Sequence, residues 1–271
     1  MPIMNLLVAF NGSAQSEAAL RYAASLAKDR GAHVTALLAH STHEVIDRRS
    51  RWIPKEAQEI LTAANKGLIQ EIEDRFNALR ATLDLGDALS FEEKAGRVDT
   101  VLSEAARHFD MLIVGAHSED DDEHVTLHPD RIALLSGRPI IVVPAGYDAG
   151  AQHNHAALAW DGGRAAARAL SDSLRLLESD GRVSVLTIGH RTDWPINDLM
   201  THLARHDIKA VHENFPGSHP VADTILSYCA RHTPSLLVLG AYEHSKFRED
   251  FFGGVTGDVL RNIQIPVLLS H

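Results

Sequence analysis

Gly253 and Gly254 stand immediately before Val255 and Thr256 at the start of a helix-like segment, residues 255–262. Glycines let a backbone approach a ligand without a Cβ in the way, and the free amides at a helix start suit a phosphate. Thr256 would add a hydroxyl, and Asp161, further back, carries a carboxylate able to accept from a ribose hydroxyl. The chemistry these residues suggest is the binding of a phosphorylated sugar compound. Neither a Walker pattern nor a Gly-x-Gly-x-x-Gly fingerprint accompanies them.

These residues must be positioned by their elements, and the chain states its elements twice. Asp99-Thr100-Val101-Leu102-Ser103, Ala106-Arg107-His108 and Leu112-Ile113-Val114-Gly115-Ala116 return as Asp223-Thr224-Ile225-Leu226-Ser227, Ala230-Arg231-His232 and Leu237-Val238-Leu239-Gly240-Ala241. The offset is about 124 residues, the period of a small domain rather than of a solenoid. Each copy opens on a continuous apolar run, 6–10 or 156–160, suited to a strand buried on both faces. A Gly-containing turn follows, then an Ala/Leu-rich helix (17–29; 165–179) closed by Gly31 or Gly181, then a second strand (33–39; 183–188). The first copy carries a long helical insert over 54–83, and the second a shorter helix over 197–206. Later strands fall at 88–93, 111–114 and 140–143, and at 209–214, 236–239 and 266–269. Alternating strands and helices with buried strands predict an α/β fold with a parallel sheet in each copy. Residues 1–146 and 155–271 are the expected domains, joined by a Gly- and Ala-rich linker over 144–155.

In such sheets a ligand sits beyond the carboxyl ends of the strands, at the switch point. In the second copy that rule selects Asp161 after the first strand, Ile188 at the end of the second and Gly240 after the fourth. The first copy has Asn11 for the acid. After Gly115 it has Ala116-His117-Ser118 and the run Glu119 to Glu123, with no glycine pair, so an anion is disfavoured there.

The chain resembles a tandem-type universal stress protein over essentially its whole length. The motif behind the resemblance is Gly, two residues, Gly, nine residues, Gly, then Ser or Thr. Gly240 and Gly253 match its first and third glycines, Asp161 matches the acid after the first strand, and Ile188 matches the apolar residue that meets the adenine. Glu243 stands where the second glycine is expected and Gly254 where Ser or Thr is expected. The resemblance implies two tandem Rossmann-like domains of the HUP/UspA type, each a five-stranded, mainly parallel sheet with flanking helices. It implies ATP or a related adenine nucleotide, with or without magnesium, on Asp161, Ile188, Gly240, Gly253, Gly254, Val255 and Thr256. His244, Ser245 and Lys246 fall on the phosphate side, and Lys246 or Arg248 would offset the Glu243 charge. It also implies an intrachain pseudo-dimer that joins 140–143 to 267–269.

No catalytic residue is assigned, and a nucleotide-binding regulator is the leading expectation. Two alternatives stand beside it: an interaction module that has lost ATP, or a slow ATPase in which Glu243 or His244 orients water. A homodimer and a protein partner are both compatible with the sequence.

The chain has 271 residues, a net charge of −10 and a single cysteine. The acidic balance argues against a nucleic-acid partner. Without a membrane-length apolar segment or signal layout, the expected location is the cytoplasm. Cys229 reads as a small buried residue, His153-Asn154-His155 as linker surface, and Trp52-Ile53-Pro54 as a helix-entry staple. Glu123, His124 and His128 have loose metal-ligand spacing. The pairs His40/His190 and His108/His232 read as structural.

Overall fold

The computed structural model describes residues 2–41, 55–117, 124–148, 150–189, 196–241 and 254–271. The first copy runs β1 (Asn5–Ala9), α1 (Ala14–Arg30), β2 (His33–His40), α2 (Lys55–Leu83), β3 (Leu89–Ala95), α3 (Val98–Ala106), β4 (Met111–Gly115), α4 (Pro129–Ser136) and β5 (Ile140–Val143). The second runs β6 (His153–Ala159), α5 (Arg164–Ser173), β7 (Leu177–Ile188), α6 (Ile196–Arg205), β8 (Lys209–Phe215), α7 (Val221–His232), β9 (Leu236–Gly240), α8 (Val255–Asn262) and β10 (Val267–Ser270).

Local chemistry explains the best-defined boundaries. Ser13 caps α1 by accepting from the Ser16 amide at 3.2 Å. Gly31 ends the helix at φ 65°, and its amide bonds the Ala27 carbonyl. Between these caps Ala18, Ala19, Ala23, Ala24 and Ala27 are buried, so α1 lies close on the strands.

The ten strands form one sheet in the order β3-β2-β1-β4-β5-β10-β9-β6-β7-β8. All neighbours are parallel except β5 and β10, which run antiparallel with Val142 opposite Val267, Ile141 opposite Leu268 and Ile140 opposite Leu269. The two five-stranded halves therefore meet edge to edge at the segments expected to form the seam, and neither leaves its last strand unpaired. Side chains alternate across this seam. Ile141 and Leu268 join the core under α1, α2, α5 and α6, whereas Ile140, Val142, Val267 and Leu269 join the core under α3, α4, α7 and α8. The result is a three-layer α/β/α molecule with helices on both faces of a central sheet.

Polar contacts tie the halves together above the sheet. The Tyr22 hydroxyl on α1 bonds His153 Nε2 on β6 at 2.6 Å. Arg30 donates to the Leu176 carbonyl at 3.2 Å. Arg175 donates to Asp110 Oδ1 at 3.1 Å, while Asp110 Oδ2 accepts from the Met4 and Asn5 amides at 2.8 and 3.0 Å. Burial alone would raise the Asp110 carboxyl, but the Met4 amide, the Arg175 guanidinium and the Asn5 amide hold it below its usual value.

Two sequence expectations are corrected here. The helix expected over 165–179 ends at Ser173, and the following strand begins at Leu177 rather than Val183, so Gly181 lies within a strand stretch and not at a helix end. The cause is a register jump. His153 pairs with Leu177 and His155 with Arg182, so β7 spends five residues where β6 spends two and the surplus bulges. Second, His153, Asn154 and His155 are not linker surface. They belong to β6, with His153 and His155 inside and Asn154 outside, the alternation of a strand. Burial pushes His153 down to about 4. His155 bonds Ser184 at 2.9 Å and accepts from Arg182 at Nδ1, 3.4 Å away.

Cys229 is buried, and burial pushes its thiol up to about 12. His232 stacks on Tyr228 with ring centroids 4.3 Å apart. His40 is buried and donates to Glu93 at 2.9 Å, whereas His108 is exposed. His190 and Trp52-Ile53-Pro54 lie outside the described residues.

Candidate functional site

In the second half β6 lies between β7 and β9, so the chain leaves β6 to opposite sides of the sheet in turn. This is the switch point at which an open α/β sheet forms a crevice beyond its strand ends. Asp161 follows β6, Ile188 ends β7 and Gly240 ends β9, which brings all three to the same end of the sheet. The parallel connection from β9 to the centre of the sheet puts the α8 N-terminus at this end too, with Gly254, Val255 and Thr256.

Each of these residues also has local work. Asp161 Oδ1 accepts from the Gly163 amide at 2.8 Å, closing the turn into α5. Ile188 is half-buried against the core that holds Tyr228 and Leu239. Gly240 is fixed by packing: a Cβ there would lie 2.4 Å from the Ala166 nitrogen and 2.6 Å from the Ala165 carbonyl carbon. Gly115 shows the same crowding, 2.5 Å from the Gln15 carbonyl carbon. The strand-four glycines thus let the first turn of the following-layer helix press onto the sheet in both halves.

Gly254 has φ 99°, a conformation that L side chains rarely adopt, and a Cβ there would point into open space. Backbone conformation therefore favours glycine at this position. Gly254, the N-cap of α8, has no side chain with which to cap the helix, whose first amides have no partner within the helix itself. Val255 is exposed and Thr256 half-buried. Gly253, Glu243, His244, Ser245, Lys246 and Arg248 lie outside the described residues.

The corresponding end of the first half is arranged differently. Asn11 Oδ1 accepts from the Ser13 amide at 3.1 Å, repeating the Asp161 turn, but Asn11 Nδ2 donates to the Val125 carbonyl at 3.1 Å. His124 Nδ1 donates to the Ser41 carbonyl, and His117 Nδ1 to the Leu127 carbonyl, at 3.1 and 3.0 Å. His128 stacks on His117 and bonds Asp99 at 3.3 Å. The acidic run from Glu119 to Glu123 lies outside the described residues. Among the described residues no group of three His, Cys, Asp or Glu is placed to hold a metal ion, and Glu123 lies outside them. No described helix is long and apolar enough to cross a membrane.

The sequence reading missed two roles. The Asx turn at Asn11 and Asp161 was legible in the shared position of the two residues, one before a glycine and three before the first helical residue. The contact from Asn11 to Val125 had no sequence signal, because it joins residues far apart in the chain.

Doubly wound halves joined antiparallel through their last strands define a tandem Rossmann-like protein. The sequence model of the universal stress protein family matches residues 2–144, which is the whole first half. The chain belongs to the universal stress protein family. Its fold is similar to a universal stress protein from Archaeoglobus fulgidus DSM 4304, at 12% identity and TM-score 0.71, covering 98% of this chain and 95% of that one. It is also similar to a putative universal stress protein from Pseudomonas aeruginosa UCBPP-PA14, at 15% identity and TM-score 0.57, covering 99% and 93%. No curated protein matches the chain in sequence.

Proposed function

We propose that the chain is a cytoplasmic stress-response protein that binds ATP or a related adenine nucleotide in its second half, residues 155–271, as a regulatory ligand. The observation that carries this reading is the convergence of Asp161, Ile188 and Gly240 at the β6/β7/β9 strand ends beside the N-terminus of α8. The Asp161 carboxylate would accept from a ribose hydroxyl. Ile188 would pack on the base. The amides of Gly254, Val255 and Thr256 would meet phosphate, joined by Gly253 and, on the phosphate side, His244, Ser245 and Lys246. The nucleotide would act by binding one conformation of the chain better than another. The first half, residues 1–146, would serve as the structural partner.

A second reading, an interaction module without nucleotide, is favoured by Gly254, which offers no hydroxyl where the family has one. Calorimetric titration with ATP, ADP and AMP in magnesium separates the two. Saturable binding of at least one nucleotide supports the first reading. No heat with any of the three, together with no nucleotide co-purifying by mass spectrometry, supports the second.

A further inference from the structure

The sheet ends on β3 at one side and on β8 at the other. β8 pairs with β7 on its inner side, and among the described residues no strand pairs with its outer side. The Gly189 amide donates to the Phe215 carbonyl at 3.0 Å. Phe215, Glu213, Val211 and Lys209 therefore turn their backbone groups towards β7, and Ala210, His212 and Asn214 turn theirs outward. Side chains alternate as well. Ile208 and Ala210 pack against the core under α6. On the opposite face the Phe215 ring meets Tyr228 of α7, with centroids 6.0 Å apart. Val211 shares that face and is 55% exposed, and none of the large apolar residues described is more exposed. Lys209 is exposed and Glu213 half-buried, and among the described residues neither takes part in an ion pair.

We propose that β8 is a dimerisation edge, to which a second copy of this chain adds its own β8 antiparallel about a two-fold axis at Val211. Hydrogen-bonded pairs must join outward-facing residues. Ala210 then meets the partner's His212, His212 meets the partner's Ala210, and Val211 meets the partner's Val211 as a close, non-bonded pair. The same register sets Lys209 opposite the partner's Glu213 and Glu213 opposite the partner's Lys209, on the face that carries Val211. An apolar contact at the axis is thus flanked by two opposite-charge pairs, so Lys209-Ala210-Val211-His212-Glu213 is self-complementary. Neighbouring registers lose this match. An axis at Ala210 sets Lys209 against Val211 and Glu213 against Asp207, and an axis at His212 sets Val211 against Glu213. The other edge of the sheet opposes self-pairing: a two-fold at the middle of β3, at Glu92 or Glu93, sets a carboxylate against its own copy. The added β8 would cover the outward amides and carbonyls, as the β5–β10 seam does within the chain.

The test is sedimentation equilibrium of the full chain over about 5–500 μM, without added nucleotide. The wild type is expected to pass from monomer to dimer within this range. Val211→Lys places like charges at the axis, and Lys209→Glu sets acid against acid. Each is expected to weaken association at least about tenfold, with an unchanged thermal melt by circular dichroism. Lys209→Glu combined with Glu213→Lys restores opposite charges across the axis and is expected to recover the wild-type constant to within about threefold. On mild oxidation Val211→Cys is expected to cross-link to its own copy, because the close pair holds its Cα atoms about 4.5 Å apart and Cys229 is buried. Asn214→Cys, opposite Ile208 in this register, is expected not to. A wild type that stays monomeric at the highest concentration overturns the proposal. A dimer indifferent to both Val211→Lys and Lys209→Glu overturns β8 as its edge. Failure of the double charge swap to recover association, or equal cross-linking at 211 and 214, overturns the register.

Discussion

Asn11 and Asp161 occupy the same turn in the two halves, each offering a side-chain oxygen to the backbone amide two residues on, at 3.1 and 2.8 Å. The shared bond builds the turn. What differs is donor chemistry: Asn11 also donates Nδ2 to the Val125 carbonyl, a bond that a carboxylate at Asp161 could not make.

Asp161→Asn therefore separates turn from ligand. Asparagine keeps the acceptor for Gly163, so thermal stability should stay within about 1 °C of wild type. Replacing a charge-assisted bond by a neutral one should weaken ATP about tenfold, roughly 1.4 kcal/mol. Calorimetry with a parallel melt checks both. Unaltered affinity would remove Asp161 from the site.

Gly240→Ala and Gly115→Ala should each destabilise the fold by about 1–3 kcal/mol, because the added methyl meets helix backbone and not a flexible side chain. Urea unfolding measures the loss. A midpoint unchanged in both variants would contradict the packing account. Gly240 thus has a reason to be glycine whether or not nucleotide is bound.

His153 makes stability depend on mild acid. Burial lowers it to about 4 in the folded chain, below its unfolded value of about 6.5. The unfolded chain then binds more protons between these values, so stability falls as pH drops from about 6.5 to 4, by on the order of 3 kcal/mol from this residue. His155 is shifted in the same direction by burial and by Arg182, so it adds to the slope. His153→Gln keeps an acceptor for Tyr22 and should flatten, without abolishing, the dependence of the urea midpoint on pH. An identical slope in the variant would contradict the assignment. Asp110 acts lower: its folded value lies below the ordinary carboxylate range, so its contribution is lost as pH falls below about 4.

Leu268→Ala probes the junction of the halves. Leu268 is fully buried opposite Ile141, and its truncation should cost about 2–5 kcal/mol. The continuous sheet and shared cores predict one cooperative transition by circular dichroism, shifted as a whole. Two separate transitions, one of them unmoved, would show that the halves unfold independently.

Much of this architecture was legible in the residues. Paired apolar runs, Gly31 at a helix end and the Pro-led final strands reported the strand–helix order, because burial and caps are local signals, whereas the seam was expected from the family resemblance. The 165–179 helix misled because Ala- and Leu-rich sequence favours helix, whereas Leu176 and Leu177 are pulled into strand packing by the sheet. His153 misled for a related reason. A histidine beside Gly and Ala reads as surface, and only its distant partner Tyr22 explains its burial. In the site, Asp161, Ile188 and Gly240 were findable from strand ends alone. The Asn11–Val125 bond was not, since the two residues meet only after the fold has formed.

The central claim, a nucleotide-binding second half beside a first half that serves as structural partner, is tested most directly by counting ATP per chain. Equilibrium dialysis of the full protein with magnesium ATP should give one site, weakened about tenfold by Asp161→Asn. Two equal sites, or one site indifferent to Asp161→Asn, would contradict it.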